Sequence, residues 1–382
     1  MMKITYQYIN VCFIFLIFCL TLEFLARVDD KFKYNAPMFG KYSPDILREY
    51  DAERIRHNIP NAQFEKWKIN NLGFRGPDIK TGTNVGKIRI VCMGASETFG
   101  LYESQNKDWP RQLNEILGDN YDVINTAVVG QFLDKWTVYL DKYVLDLQPE
   151  IIIMVVNPFN YVDNISTHNM GDTKKQISQT KQNNKPLNLK KSFINNVKQG
   201  IGSLRILPKI KIVIKSVLPQ EILKKYQLMA MKNQVIAMER VKLNGQPPAD
   251  SVAPEAVASF QSDLDTLVKY IKSKHIKVVL STYPMLLRNE NMEDYQDIFY
   301  DFRRFYIKLS LKGIIDALAK CNNSIKYVAG ENRLDLIDLY RILPHSKIEF
   351  GDNVHYTDAG SLAIASSIAE YLRSDQCIHI HK

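Results

Sequence analysis

The sequence predicts an α/β protein, a three-layer α/β/α sandwich around a central parallel sheet, with an N-terminal apolar helix before it and a mainly helical basic insertion within it. Three observations carry that prediction. Apolar runs alternate with amphipathic stretches over residues 88–160 and again over 253–373, the pattern of a parallel sheet covered by helices. Residues 4–26 form an apolar run whose only charge is Glu23. Residues 171–242 hold 16 Lys or Arg against Asp172, Glu221 and Glu239, an excess larger than the +9 of the whole 382-residue chain.

The N-terminal run suits one membrane-spanning helix. A cleavable signal peptide is the rival reading, since Lys3 supplies a basic start, but no A-x-A precedes Arg27. The expectation is a single-pass anchor over 1–27 with the rest of the chain on the extracytoplasmic side. Lys3 before the run faces Arg27, Lys31 and Lys33 after it, a balance that does not itself favour export. Residues 28–84, polar and broken by Pro37, Pro44, Pro60 and Pro77, read as a stalk and docking segment.

A domain then spans 85–375, interrupted by an insertion over 164–250 and followed by a tail over 376–382. "KIRIVCMGA" reads as a buried strand and "DWPRQLNEILG" as a helix with Pro110 in its first turn. "YDVINTAVVG" is a strand, "FLDKWTVYLDKYVLDLQ" a helix and "EIIIMVVN" a strand. The insertion opens with a mobile low-complexity loop, "KKQISQTKQNNKPLNLKK". Its 201–235 portion interleaves apolar and basic residues, which fits either a solvated helical insertion or a segment lying on anionic lipid near the anchor. After it come a helix from Pro254, the strand "IKVVLSTYP", a largely helical stretch over 286–322 and the strand "RLDLIDL". A last helix begins in "TDAGSLAIASSIAEYLRS", capped by Thr357 or Asp358.

Composition removes several function classes. The basic residues sit on no nucleic-acid-binding module, so no nucleic acid is expected and a membrane surface better explains the charge. Of five cysteines, Cys12 and Cys19 fall in the apolar run and Cys92 in a strand. Only Cys321 and Cys377 are left as a possible bridge, which excludes a disulfide framework. No Cys/His cluster has metal-ligand spacing, and neither metal nor cofactor is expected.

Ser96, in "IRIVCMGASETFG", has two readings: a helix cap, the ordinary role of a serine where a strand gives way to a helix, or a nucleophile. The second needs a base and a group that orients it. Among seven histidines, His379 and His381 lie at the chain end, His57 and His168 in linker or loop, His275 before a strand and His345 in a loop without a spaced carboxylate. His355, in "GDNVHYTDAG", has Asp352 three residues earlier in a loop between the last strand and the last helix. Such a loop can present the imidazole and hold its other nitrogen. An α/β-hydrolase elbow is ruled out, because Thr98 stands where G-x-S-x-G needs glycine and because acid and histidine are too close in sequence.

Gly94, Ser96, Thr98 and Gly100, then Gly130 in "NTAVVGQF", Asn157 in "VVNPFN", and Asp352 with His355 in "DNVHYTDAG" resemble the four ordered blocks of the SGNH/GDSL hydrolase superfamily. "INNLGFRGPD", residues 69–78, resembles the segment before the first block in membrane-anchored bacterial members. The resemblance implies an SGNH-like (flavodoxin-like) sandwich in which Ser96 is nucleophile, His355 base and then acid, and Asp352 its orienting carboxylate. It implies an oxyanion hole from the backbone N–H of Ser96 and Gly130 and the side-chain amide of Asn157. Two blocks depart from the family pattern. The third, usually G-x-N-D, reads Val155, Val156, Asn157, Pro158, with Asn160 as a second candidate, and Ala95 replaces the Asp of GDS. Tyr102, Phe159 and Tyr161 follow the blocks and either line the pocket or pack the core.

The function so implied is a serine esterase or acyl hydrolase working through an acyl-serine, on O-acyl groups of envelope glycans or on lipid-like esters. A polysaccharide O-acyltransferase with the same residues is the alternative within the chemistry. A non-catalytic envelope scaffold on the same fold is the alternative outside it.

Overall fold

Three runs of almost uninterrupted apolar side chains, IRIVCM, IIIMV and KVVLS, can be hidden from water only in a sheet covered on both faces. In the computed structural model of the protein, which describes residues 2–40, 42–79, 86–163 and 204–374, they form its centre. Strands β5 (Ile88–Met93), β6 (Tyr121–Asn125), β7 (Ile151–Val155), β8 (Lys277–Ser281) and β9 (Asp335–Ile337) make one sheet in the order β6-β5-β7-β8-β9, every pair parallel. This is the doubly wound order of flavodoxin-like folds, whose functional crevice opens at the carboxyl ends of the strands where the winding reverses. Four short strands precede the sheet as two hairpins, β1 (Arg48–Tyr50) with β2 (Arg56–Asn58) and β3 (Gln63–Phe64) with β4 (Trp67–Lys68).

The helices, in chain order, are α1 (Met2–Tyr34), α2 (Ser96–Phe99), α3 (Trp109–Leu117), α4 (Trp136–Tyr139), α5 (Phe159–Asp163), α6 (Ile206–Val217), α7 (Gln220–Lys242), α8 (Pro254–Ser273), α9 (Gln296–Arg303), α10 (Leu311–Asn332), α11 (Leu339–Ile342) and α12 (Asp358–Arg373). Alternate strand residues face opposite layers. Ile90, Cys92, Ile151 and Ile153 pack with Trp109 and Leu113 of α3 and with Ile364 and Ile368 of α12. Val91, Met93, Ile152 and Met154 pack with Trp136, Tyr139 and Leu140 and with Phe260 and Leu264 of α8. α10 serves both layers, through Ile314 on one and Ile325 on the other.

Local chemistry sets some of the boundaries. Asp108 caps α3, accepting the Arg111 N–H at 3.4 Å, with Pro110 in the first turn where no donor is missed. Thr357, rather than Asp358, caps α12 by accepting the Gly360 N–H. Asp358 instead accepts the Ser104 N–H at 2.6 Å. The expected helix over "FLDKWTVYLDKYVLDLQ" is a chain of 3₁₀, α and π turns over 133–147, bent so that Trp136 and Tyr139 enter the core and the Tyr139 hydroxyl donates to the Thr126 carbonyl at 2.8 Å. Helix α10 runs ten residues past the expected end at 322.

The single-pass N-terminal anchor, and the membrane location inferred from it, are corrected: among the described residues no helix is long and apolar enough to cross a membrane. The physical reason is visible in the second half of α1, whose charges are used within the protein. Glu23 pairs with Arg27 at 2.8 Å and also accepts the N–H of Arg205 and of Ile206, so one α1 carboxylate serves the start of α6. Asp29 and Asp30 both bind Lys209, at 2.5 and 2.8 Å. The insertion is helical where described, but α6 buries no residue and α7 only Val235. Arg303 of α9 pairs with Glu239 at 2.8 Å and ties α7 to the domain. The predicted low-complexity loop, the tail, His168, Cys377, His379 and His381 lie outside the described residues. Cys321 is a buried free thiol.

Replacing Glu23 by Ala removes the acceptor that α1 offers to the first N–H groups of α6. A lost cap costs about 0.5–2 kcal/mol. Amide exchange over 204–217 is expected to quicken severalfold while exchange in β5 and β7 stays as it was; equal exchange throughout would show that α6 does not depend on that carboxylate.

Candidate active site

Strand β5 ends at Met93, and the chain turns at once through Gly94 and Ala95 into the four-residue helix α2. Gly94 has to lack a side chain, because a Cβ there would stand 2.0 Å from the Thr98 hydroxyl. Ala95 occupies the cap position and makes no side-chain capping bond, so the hydroxyl of Ser96, the first helical residue, is free of that duty. It meets His355 instead. Ser96 Oγ lies 2.7 Å from His355 Nε2, and His355 Nδ1 lies 2.7 Å from Asp352 Oδ2.

The loop between α11 and α12 is folded around that carboxylate. Asp352 Oδ1 accepts the N–H groups of Val354 and His355, at 2.9 and 2.8 Å, which leaves Oδ2 for the imidazole. Gly351 N–H donates to the His355 carbonyl at 2.9 Å and closes the loop. The Tyr102 ring stacks on His355, with centroids 5.7 Å apart. Burial works against a charged imidazolium, but the hydrogen bond and charge of Asp352, helped by Glu97 and Glu103, outweigh it and hold His355 above the ordinary histidine value of 6.5. Burial likewise works against a charged Asp352, and His355 together with the two amides outweighs it, so the carboxyl sits below its ordinary range.

The three oxyanion candidates lie in the segments that follow β5, β6 and β7. Gly130 has φ +73°, a conformation that favours glycine, and Arg56 Nη1 stands 2.4 Å from where its Cβ would be. Its loop is tied to the turn before Ser96 by Val128 N–H donating to the Gly94 carbonyl at 3.4 Å and by Thr126 N–H donating to Cys92 at 3.1 Å. Asn157 follows β7; its Oδ1 accepts the Phe159 N–H at 2.9 Å, which holds the side chain and leaves its NH₂ without a partner among the described residues. Asn160 lies half-buried in α5. Tyr102 alone of the three aromatic candidates touches the site. Phe159 is packed among Tyr283, Phe302 and Tyr306, and the Tyr161 hydroxyl donates to Asp263 at 2.6 Å.

Residues that motif reading passed over support this arrangement. Glu97 is fully buried, and its Oε1 accepts the Ala95 N–H at 2.8 Å, fixing the peptide that leads into Ser96. Burial raises its carboxyl above the ordinary range. Glu103 accepts from the Ser361 hydroxyl at 2.7 Å, and burial pushes it up to about 7. Arg75, from "NNLGFRGPD", is 6% exposed; its Nε lies 3.2 Å from Asp108, and its guanidinium donates to the carbonyls of Phe99 and Gly100 at the end of α2. A serine followed by a buried glutamate carries no signal by itself, since burial is decided by the layers that close over it. Among the described residues no group of three or more His, Cys, Asp or Glu could hold a metal ion.

No family model and no curated protein sequence matches the chain. Solved structures that it matches include an acetyl xylan esterase (14% identity, TM-score 0.42, covering 75% of this chain and 100% of that one). Others are a lipase/acylhydrolase from Enterococcus faecalis (14%, 0.39, 75% and 95%) and a GDSL-like lipase from Bacteroides thetaiotaomicron (12%, 0.39, 77% and 91%).

Titrating His355 by nuclear magnetic resonance is expected to give a midpoint above 6.5 in the native chain, because Asp352 favours the protonated ring. In Asp352→Asn the favouring charge is gone and burial remains, so the midpoint moves down; an unmoved midpoint would contradict the assigned pairing. In the order of its sheet the chain has a flavodoxin-like three-layer α/β fold.

Proposed function

We propose that the protein is an SGNH-type serine ester hydrolase that works through an acyl-serine intermediate. The observation that carries this reading is the unbroken hydrogen-bonded line Ser96 Oγ, His355 Nε2, His355 Nδ1, Asp352 Oδ2, with 2.7 Å at both links. Ser96 Oγ attacks the ester carbonyl carbon while its proton passes to His355 Nε2. Asp352 keeps Nδ1 protonated and stabilises the imidazolium that forms. The carbonyl oxygen becomes an oxyanion, which the N–H groups of Ser96 and Gly130 and the Asn157 amide receive.

Collapse of the adduct breaks the ester C–O bond, and His355 returns its proton to the departing alcohol. Water then attacks the acyl-serine with His355 again as base, and the carboxylic acid leaves as Ser96 is regenerated. The substrate class is an O-acyl ester of a glycan or a lipid-like alcohol. Transfer to a sugar hydroxyl would use the same acyl-serine, with that hydroxyl in place of water. A scaffold without catalysis gives no reason for His355 and Asp352 to be aligned on Ser96, and the alignment favours the enzyme.

Ser96→Ala is expected to abolish both covalent labelling by a fluorophosphonate probe and hydrolysis of 4-nitrophenyl acetate, since the nucleophile is removed while the fold stays. Loss of a triad member costs about 10⁴-fold or more in kcat in a serine hydrolase. Label that survives in the variant would overturn the assignment. Product analysis with an acyl donor and a glycan acceptor separates hydrolysis from transfer.

A further inference from the structure

The β1–β2 hairpin brings two arginines to the edge of this site. Register pairs Tyr50 with Arg56 and Arg48 with Asn58, so all four side chains lie on one face of the hairpin. Arg56 Nη1 fills the space beside Gly130, and the guanidinium lies over the Tyr50 ring at 5.6 Å. The Arg56 carbonyl accepts from Gln131 Nε2 at 3.0 Å, which holds the hairpin against the Gly130 loop.

What Arg56 lacks is an acid. The carboxylates nearby in sequence are engaged elsewhere: Glu49 lies 3.7 Å from His57, while Asp51 and Glu53 bind Lys142 at 2.8 and 3.0 Å. Among the described residues no carboxylate pairs with the Arg56 guanidinium. Arg48 repeats the pattern. Its Nη2 donates to the Pro44 carbonyl at 3.1 Å, while its buried Nε and Nη1 have no hydrogen-bond partner. Burial first, and then the charge of Arg56, hold Arg48 below the ordinary arginine range, against the favourable charge of Asp45. Two like charges, one of them desolvated, are thus held side by side next to a backbone N–H assigned to the oxyanion. An arginine fork is matched in shape and charge to a carboxylate.

We propose that Arg56, backed by Arg48, binds a carboxylate carried by the substrate, so that the enzyme prefers acidic O-acyl esters over neutral ones of the same shape. The proposal rests on the serine ester hydrolase reading for the place of Gly130. It makes Arg56 a specificity determinant that acts on substrate binding, with no proton or bond passing through it.

The probes are 4-acetoxybenzoate and its methyl ester, which share the acetyl group and differ in charge, each kcat/KM being divided by the probe's rate with hydroxide because the neutral ester has the better leaving group. At low salt the native enzyme is expected to show a kcat/KM roughly two- to fivefold higher for the acid, the size of one part-exposed charge contact. Arg56→Met should bring the ratio close to one, Arg56→Lys should keep part of it, Arg48→Met should reduce it from a position that does not touch Gly130, and 0.5 M salt should shrink it. Equal turnover of both probes by native enzyme, or a ratio that survives Arg56→Met, overturns the proposal. If native enzyme turns over neither probe, the hydrolase reading fails by itself. Saturation-transfer resonance of 4-acetoxybenzoate on the Ser96→Ala protein then decides the charge site, since binding indifferent to Arg56→Met overturns it.

Discussion

Arg75 is the side chain on which the Ser96 turn depends. Helix α2 has four residues, too few to hold itself together by its own hydrogen bonds, and its last carbonyls point into the protein rather than to water. Arg75 donates to two of them, at Phe99 and Gly100, and Asp108 balances its charge at 3.2 Å. Asn125 at the end of β6 closes the group, donating to the Thr98 carbonyl and to Asp108, both at 2.9 Å, while the Arg75 N–H donates to the Asn125 carbonyl at 3.2 Å. A cation at a helix C-terminus is favourable, and a buried pair is tolerable only when such further bonds satisfy it. The segment before the domain is therefore a structural part of the site, holding the helix that presents Ser96.

On the other side of Ser96 the constraint is electrostatic. His355 is flanked by Asp352 in direct contact and by Glu97 and Glu103 in the field around it. Burial raises Glu97 above its ordinary range and carries Glu103 to about 7, while Asp352 stays low through its contact with the ring.

The N-terminal helix shows how composition can mislead when charges are sparse. Glu23 reads as a single flaw in an apolar run, yet it is one of the residues that join α1 to α6. Lys209, one of the basic residues that gave the insertion its expected affinity for anionic lipid, is spent on Asp29 and Asp30. A count of charges cannot distinguish residues that meet each other from residues that meet solvent, because that depends on which helices are neighbours.

The sequence by itself determined the order of the five sheet strands, since long apolar runs are local properties that survive in any tertiary context, but it carries no sign of the hairpins β1–β2 and β3–β4, which lie where it reads as a polar stalk. It also picked out Ser96, Asp352 and His355 as candidates, because two of them share one loop and the third follows a strand. It could not determine that Glu97 is buried, that Phe159 and Tyr161 pack the core while Tyr102 covers His355, or that Arg56 stands against Gly130. Ser96 and His355 are 259 positions apart in the chain. Closing that distance to 2.7 Å is the work of a parallel sheet, which sets the ends of β5 and the loop after β9 at the same edge, and parallel pairing is a property of the whole fold rather than of any stretch of sequence.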